Sequence, residues 1–209
     1  MKIEKINGFW VPSNDIHREQ WLDGAKLMQN KCITKFLEYC DTQHKTFRTV
    51  LDIGAWCGTW SKLMEPYAKK VIAFEPDRIH FECLQKNCTI NCIPRREAVG
   101  NEVKNVSLTK NDFTQQKRVT GEGDISMVRI DDFDYQDVDL IKIDVEGYEL
   151  EVLKGAQNTL QKIEYLMIEL NGNTEKYGSS NKECIDFILA QGFKLLMKVW
   201  PDKIFYRIK

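Results

Sequence analysis

Between Phe47 and Leu170 the chain alternates short, continuous apolar runs with longer amphipathic segments. The runs are RTVLDIG (48–54), KKVIAFEP (69–76), DLIKIDV (139–145) and YLMIEL (165–170). Unbroken apolar runs of this length predict strands buried on both faces of a parallel sheet, joined by helical crossovers. Upstream, apolar positions from Trp21 to Leu37 recur at helical spacing, which predicts a loop and one or two helices before residue 46. Downstream, Leu150, Leu153, Ala156 and Leu160 share one face of a predicted helix, and Ser180 with Glu183 forms a capping box for a helix through Leu189. The last run, FKLLMKVWPDKIFYRIK, breaks at Pro201-Asp202-Lys203 and predicts an antiparallel hairpin. No repeat or linker interrupts the pattern. The expected architecture is one α/β domain, with residues 1–46 as an N-terminal helical cap and 47–209 as the core.

In such a sheet, ligands sit beyond the carboxyl ends of the strands, so the loops after the apolar runs are where chemistry is expected. The first carries Asp52-x-Gly54-x-x-x-Gly58. A dinucleotide loop needs glycine where Trp56 stands, and a phosphate loop needs G-K-[ST] where Gly58-Thr59-Trp60 stands. The second run ends in Glu75, about twenty residues past the first glycine, where an acid accepts the hydroxyls of a ribose. An acid at the mouth of the first loop and another at the ribose position suit a nucleoside bearing positive charge. S-adenosylmethionine has that character: Asp52 would attract its ammonium and sulfonium, while amides of the glycine turn would take its carboxylate.

Composition narrows the partners. Thirty basic and thirty-one acidic residues give a formal charge of −1, and the basic doublets, Lys117-Arg118 among them, are scattered, so no nucleic-acid track is expected. No apolar stretch approaches a membrane span and the first residues lack a signal-like run, which together predict a cytoplasmic protein. Seven scattered cysteines predict reduced thiols, and the spacing of Cys83, Cys88 and Cys92 does not suggest zinc.

From Leu51 to Leu170 the sequence resembles the FkbM family of S-adenosylmethionine-dependent methyltransferases. The resemblance rests on LDIGAWCGTWS, on VIAFEPD with Asn87 in the following helix, on REAVGN and RIDDF, and above all on DLIKIDVEGYELEVLKGA followed by YLMIEL. The stretch FWVPSNDIHREQW is similar to short phage-encoded members. The family implies a Rossmann-like class I fold with a seven-stranded, mostly parallel sheet, and O-methylation of a sugar, glycan or other small molecule. The matching positions implied for the cofactor are Asp52, Gly54, Ala55, Trp56, Cys57, Gly58, Glu75, Pro76, Ala98 and Asp144.

A hydroxyl acceptor benefits from a base or a metal that takes its proton. The candidates are His17 in the polar N-terminal segment, Asp144 and Glu146 in IDVEG, and Glu169 in IELNG. Asp144, Glu169 and Asn171 offer oxygen ligands for Mg²⁺, although Asp144 as a helix cap explains the same residue without a metal, and the metal-free mechanism is the expectation. The polar stretches 111–124 and 171–183 are long enough to line an acceptor pocket, and Tyr177 could either stack on a sugar or simply cover the sheet. Two other readings remain open at this stage: a nucleic-acid methyltransferase, and a non-catalytic protein that binds S-adenosylmethionine.

Overall fold

The computed structural model describes residues 2–15, 31–109 and 117–208. At its centre is a seven-stranded sheet built from β3 (Phe47–Ile53), β4 (Ala68–Phe74), β5 (Cys92–Arg95), β9 (Val138–Ile143), β10 (Tyr165–Glu169), β11 (Phe193–Val199) and β12 (Asp202–Arg207), in the spatial order β11-β12-β10-β9-β3-β4-β5. The strands β3, β4, β5, β9 and β10 pair in parallel, and β12 runs antiparallel between β10 and β11. The apolar runs are these interior strands: in β3, from Thr49 to Ile53, every residue is buried, the acid Asp52 included.

Apolar side chains leave the sheet on both faces and make two cores. On one face Leu51, Ile53, Ile141 and Leu166 pack against α4 (Glu149–Gly155), α5 (Gln157–Leu160) and α6 (Asn181–Ala190). On the other, Val50, Val71, Leu140 and Met167 meet α1 (Lys31–Thr42), α2 (Thr59–Met64) and α3 (Arg78–Asn87), with Phe36 and Trp60 at the centre. Strand order reverses between β3 and β9, so the crevice at their carboxyl ends is the topological switch point.

Several elements differ from the sequence expectation. Residues 3–12 are not a loop but a hairpin, β1 (Ile3–Ile6) and β2 (Phe9–Pro12), closed by Asn7 and Gly8 at φ 47° and 87°. That two-residue turn with both residues left-handed is the one Asn-Gly favours. Of the expected N-terminal helix only α1 falls within the described residues; 16–30 lie outside them. The predicted helix from 148 to 160 is split at Ala156 into α4 and α5, because Asp131 accepts hydrogen bonds from the Asn158 and Thr159 amides, both at 2.8 Å, and starts a new turn there. Of the polar stretch before the fourth core strand, residues 119–124 belong to a ribbon and 111–116 lie outside the described residues: β8 (Val119–Val128) pairs with β7 (Lys104–Leu108) and with β6 (Ala98–Val99) in a separate three-stranded sheet beside the cleft. The capping box at Ser180 is present, its hydroxyl accepting from the Glu183 amide at 3.2 Å.

The thiols also differ. Cys88 ends α3 and Cys92 starts β5, and the short turn between them brings their Cα atoms to 5.4 Å, where a disulfide joins them. Cys32, Cys40, Cys57, Cys83 and Cys184 are free and buried. Among the described residues no helix is long and apolar enough to cross a membrane.

Candidate active site

A cavity of about 270 Å³ opens at the switch point, lined from β3 by Ile53, Gly54 and Trp56, from β4 by Glu75 and Pro76, and from β9 by Asp144 and Glu146. The backbone of the first loop is forced. Gly54, at φ 79°, lies so close to β9 that a Cβ there would sit 1.7 Å from the Asp144 carbonyl oxygen. The loop is then tied to β4: Glu75 accepts the Trp56 amide at 2.9 Å through one oxygen and the Asp77 amide at 2.8 Å through the other. Each oxygen of an ionised carboxylate can accept a second bond, so Glu75 retains capacity for a ligand hydroxyl.

The predicted cofactor residues separate into two groups. Gly54, Trp56, Glu75, Pro76, Ala98 and Asp144 line the cavity; Asp52, Ala55, Cys57 and Gly58 do not. Asp52 in particular has no exposed surface and lies under the loop, where it accepts from the Ser61 hydroxyl at 2.6 Å. Its partner is a lysine that motif reading passed over. Lys142 Nζ, in β9, donates to the Gly54 carbonyl at 3.0 Å and stands 3.4 Å from Asp52 and 3.3 Å from Asp144. Burial acts to lower the Lys142 pKa, but Asp144 and Asp52 more than reverse this and keep the ammonium charged. Burial still raises the Asp52 carboxyl, which faces this ammonium from inside the sheet. The signal was in the sequence: a lysine inside the apolar run LIKIDV has to be buried, and buried lysines are paired.

His80 is a second wall residue outside the expected site. Asp77 caps α3 by accepting the Ile79 and His80 amides at 2.9 and 3.0 Å, which turns the His80 ring into the cavity wall. The ring is 3% exposed, its Nδ1 lies 3.7 Å from Glu75 and 3.6 Å from Asp77, and its Nε2 is buried without a hydrogen-bond partner.

The catalytic candidates are also sorted by position. His17 lies outside the described residues. Glu146 lines the cavity with its backbone at φ 58°, a strained conformation for a residue with a side chain, and accepts from the Asn173 amide group at 2.8 Å. Burial, with Asp144 and Glu149 beside it, pushes its carboxyl up to about 7. Burial and the neighbouring Asp144 push Glu169 further, to about 9, so it holds a proton at neutral pH. Asp144 does not cap the helix that follows: Glu149 does the related work, accepting the Gly147 amide at 3.0 Å.

These donors do not suit a metal. The Lys142 ammonium already occupies the side of Asp144 where a cation would bind, Glu169 is protonated, and Asn171 turns its amide nitrogen to Glu169 at 3.0 Å while its oxygen accepts from Asn173 at 2.9 Å. Elsewhere among the described residues, Glu65, Cys88 and Cys92 come within ligand range of one another, but the two sulfurs are bonded together and Glu65 accepts the Thr89 amide at 2.9 Å.

A sheet of this order, with a glycine turn after its first core strand and an acid ending the second, defines a Rossmann-like α/β protein of the class I methyltransferase type. The model of the methyltransferase FkbM domain matches residues 43–195, and the chain belongs to that family. It is 27% identical over 135 residues to the hexuronic acid methyltransferase AglP of Haloferax volcanii, a match covering 59% of this chain and 56% of that protein. In fold it is similar to the crystal structure of methyltransferase FkbM from Methylobacillus flagellatus KT, with TM-score 0.53 and 21% identity over 77% of this chain and 43% of that one. It is also similar to the N-methyltransferase NodS of Bradyrhizobium japonicum WM9 in complex with S-adenosyl-L-homocysteine, with TM-score 0.52 and 11% identity over 87% of this chain and 88% of that one. The chain therefore spans about half the length of its FkbM-type relatives.

Proposed function

We propose that this chain transfers a methyl group from S-adenosylmethionine to a hydroxyl oxygen of a sugar or similar small molecule. The cavity suits that cofactor. Of its lining acids, Glu97 is paired with Arg95 and Asp144 with Lys142, as its lysine, Lys117, is with Asp77; the carboxylates of Glu75 and Glu146 are left to attract a cation such as a sulfonium. Glu75 retains acceptor capacity for ribose hydroxyls, and the unpartnered Nε2 of His80 faces the same wall. When bound, S-adenosylmethionine would supply a methyl group already activated on a sulfonium.

The remaining work belongs to the protein: aligning the acceptor, excluding water and taking one proton. The observation that carries the reading is Glu146, a cavity-lining carboxylate held near neutrality by burial and by Asp144. As methyl transfer forms the new carbon–oxygen bond, Glu146 would take the hydroxyl proton, with Asn173 orienting its other oxygen. The sugar-directed name of the Haloferax volcanii relative supports the acceptor class.

The test is turnover. The protein with S-adenosylmethionine and a panel of glycosides, nucleosides and RNAs should release S-adenosylhomocysteine and add one methylene mass to a glycoside. Release with RNA alone would replace this acceptor class, and no release with any acceptor would remove the catalytic reading.

A further inference from the structure

Strand β10 ends at Glu169, and the chain passes through Leu170, Asn171 and Gly172 into the short turn Asn173–Tyr177. Asn171 is one of two asparagines in the sequence that precede a glycine; the other is Asn7. Such a pair has an internal reaction open to it. The glycine backbone nitrogen, which no side chain of its own shields, can attack the asparagine side-chain carbonyl carbon and close a five-membered imide with loss of ammonia. Water then opens the imide to aspartate or to isoaspartate.

Around Asn171 each step has a group in place. Its side-chain oxygen accepts from the Asn173 amide at 2.9 Å, a donor that polarises the carbonyl and would steady the oxyanion formed on attack. Its side-chain nitrogen, the leaving group, donates to Glu169 at 3.0 Å. Burial, with Asp144 and Asp202 nearby, keeps a proton on Glu169 against the pull of Lys142. Once the amide nitrogen has become an amine, that contact can carry a proton the other way, and the nitrogen departs as ammonia. The nucleophile is open as well: Gly172, at φ 95°, has no atom within 4 Å of where a Cβ would stand, and among the described residues its N–H makes no hydrogen bond. Asn171 is exposed, so water reaches the imide.

We propose that Asn171 is a site of self-catalysed deamidation, with Glu169 as the acid and the Asn173 amide as the oxyanion donor. In the first step the bond from Gly172 N to Asn171 Cγ forms and the Cγ–Nδ2 bond breaks. The glycine N–H proton passes to water, and Nδ2 leaves with the Glu169 proton, which solvent replaces. The second step adds one water across an imide carbonyl. An isoaspartate there inserts a methylene into the backbone two residues ahead of Asn173, whose side chain holds Glu146 at 2.8 Å. The modification stands without the methyl-transfer reading; only its effect on turnover rests on that reading.

The whole protein is kept at neutral pH and 37 °C, sampled over weeks and digested, and the peptides carrying Asn171 and Asn7 are followed by the mass gain of replacing NH₂ by OH. In the folded protein Asn171 should convert about tenfold or more faster than Asn7, a modest share of what a positioned acid supplies. Glu169→Gln, which keeps an acceptor but has no proton to give, should slow Asn171 to about the Asn7 rate and leave Asn7 unchanged. Unfolding the wild type in urea, which requires no variant, should bring the two rates together. Equal rates in the folded protein, an excess at Asn171 that persists in urea, or a rate indifferent to Glu169→Gln would each overturn the proposal. Turnover should fall in step with the isoaspartate fraction at 171; full turnover from converted protein would remove the link to Glu146 and leave the modification standing.

Discussion

The Lys142 ammonium stands 3.4 Å from the Asp52 carboxylate, and the two bind the sheet interior to the floor of the cofactor loop. Asp52 is fully buried, so removing the lysine leaves an acid inside the sheet without its counter-charge. Lys142→Met should cost about 3–5 kcal/mol, the range for breaking a buried pair from one side. Asp52→Asn in the same background should restore part of that loss. Urea unfolding of both single variants and the double variant measures the coupling; additive losses would mean that the two charges do not sense each other.

Glu75 has a structural role, and the proposed function gives it a binding role as well. It accepts two backbone amides, those of Trp56 and Asp77, and it faces the cavity. Glu75→Ala should therefore lower S-adenosylhomocysteine affinity about tenfold or more and also lower the stability of the free protein, by about 1–3 kcal/mol for the amides left unpaired. Calorimetry and thermal melting of the same sample read the two effects. Unchanged affinity with a lowered melting point would assign Glu75 to the loop alone.

How far the sequence carried depended on whether a residue's partner is near in the chain or distant. The strands were legible because apolar runs such as KKVIAFEP need no knowledge of their neighbours, and Glu75 was legible because its distance from Gly54 is set by one strand–helix–strand unit. The hairpin at residues 3–12 was legible too, in the Asn7-Gly8 pair flanked by apolar residues, but with helical spacing following from Trp21 the segment reads as the loop before the helices. Asp52 was placed at the ligand because a motif shows which loop a residue belongs to, not which way its side chain turns. Lys142, 90 residues later in the chain, determines that direction. His80 depends in the same way on a surface built from separate segments.

If Glu146 is the base of the proposed transfer, the reaction is sensitive to pH near neutrality. The ionised carboxylate is the form that accepts a proton, and burial with Asp144 places its pKa at about 7. Activity at low acceptor concentration should therefore rise with pH through about 7 and fall away below it. Glu146→Gln should flatten that rise and reduce turnover by about 10²-fold, the contribution of a general base, with S-adenosylhomocysteine affinity unchanged. A pH profile with the same inflection in the variant would place the titrating base elsewhere.

Glu169 should make stability depend on pH. Burial and Asp144 raise its carboxyl from 4.5 to about 9, so the folded chain holds a proton that the unfolded chain releases. More protons bound in the folded state means that stability falls as pH rises, here across the interval from 4.5 to about 9. Its contribution is complete below that interval and lost above it. Glu169→Gln, which is neutral at every pH and keeps an acceptor for Asn171, should show a shallower decline. Unfolding free energies at pH 5, 7 and 9 for both proteins decide this, and parallel curves would contradict it.

Asn87 latches the N-terminal hairpin onto the cofactor loop. Its side chain exchanges two hydrogen bonds with the backbone of Trp10, both at 2.8 Å, and donates a third to the Cys57 carbonyl at 2.8 Å. The hairpin residues Ile6 and Val11 in turn pack with Trp56, which lines the cavity. Asn87→Ala should leave the Trp10 and Cys57 groups unpaired, cost about 1–3 kcal/mol, and loosen the hairpin before the sheet. Amide exchange in residues 3–12 should accelerate at least tenfold, while exchange in β3 and β9 slows or holds, and S-adenosylhomocysteine should bind more weakly because Trp56 loses its backing. Asn87→Asp, which keeps the acceptor for the Trp10 amide and loses both donated bonds, should fall between the two. If hairpin amides keep their protection in Asn87→Ala, the apolar contacts around Trp56 hold this segment without the latch.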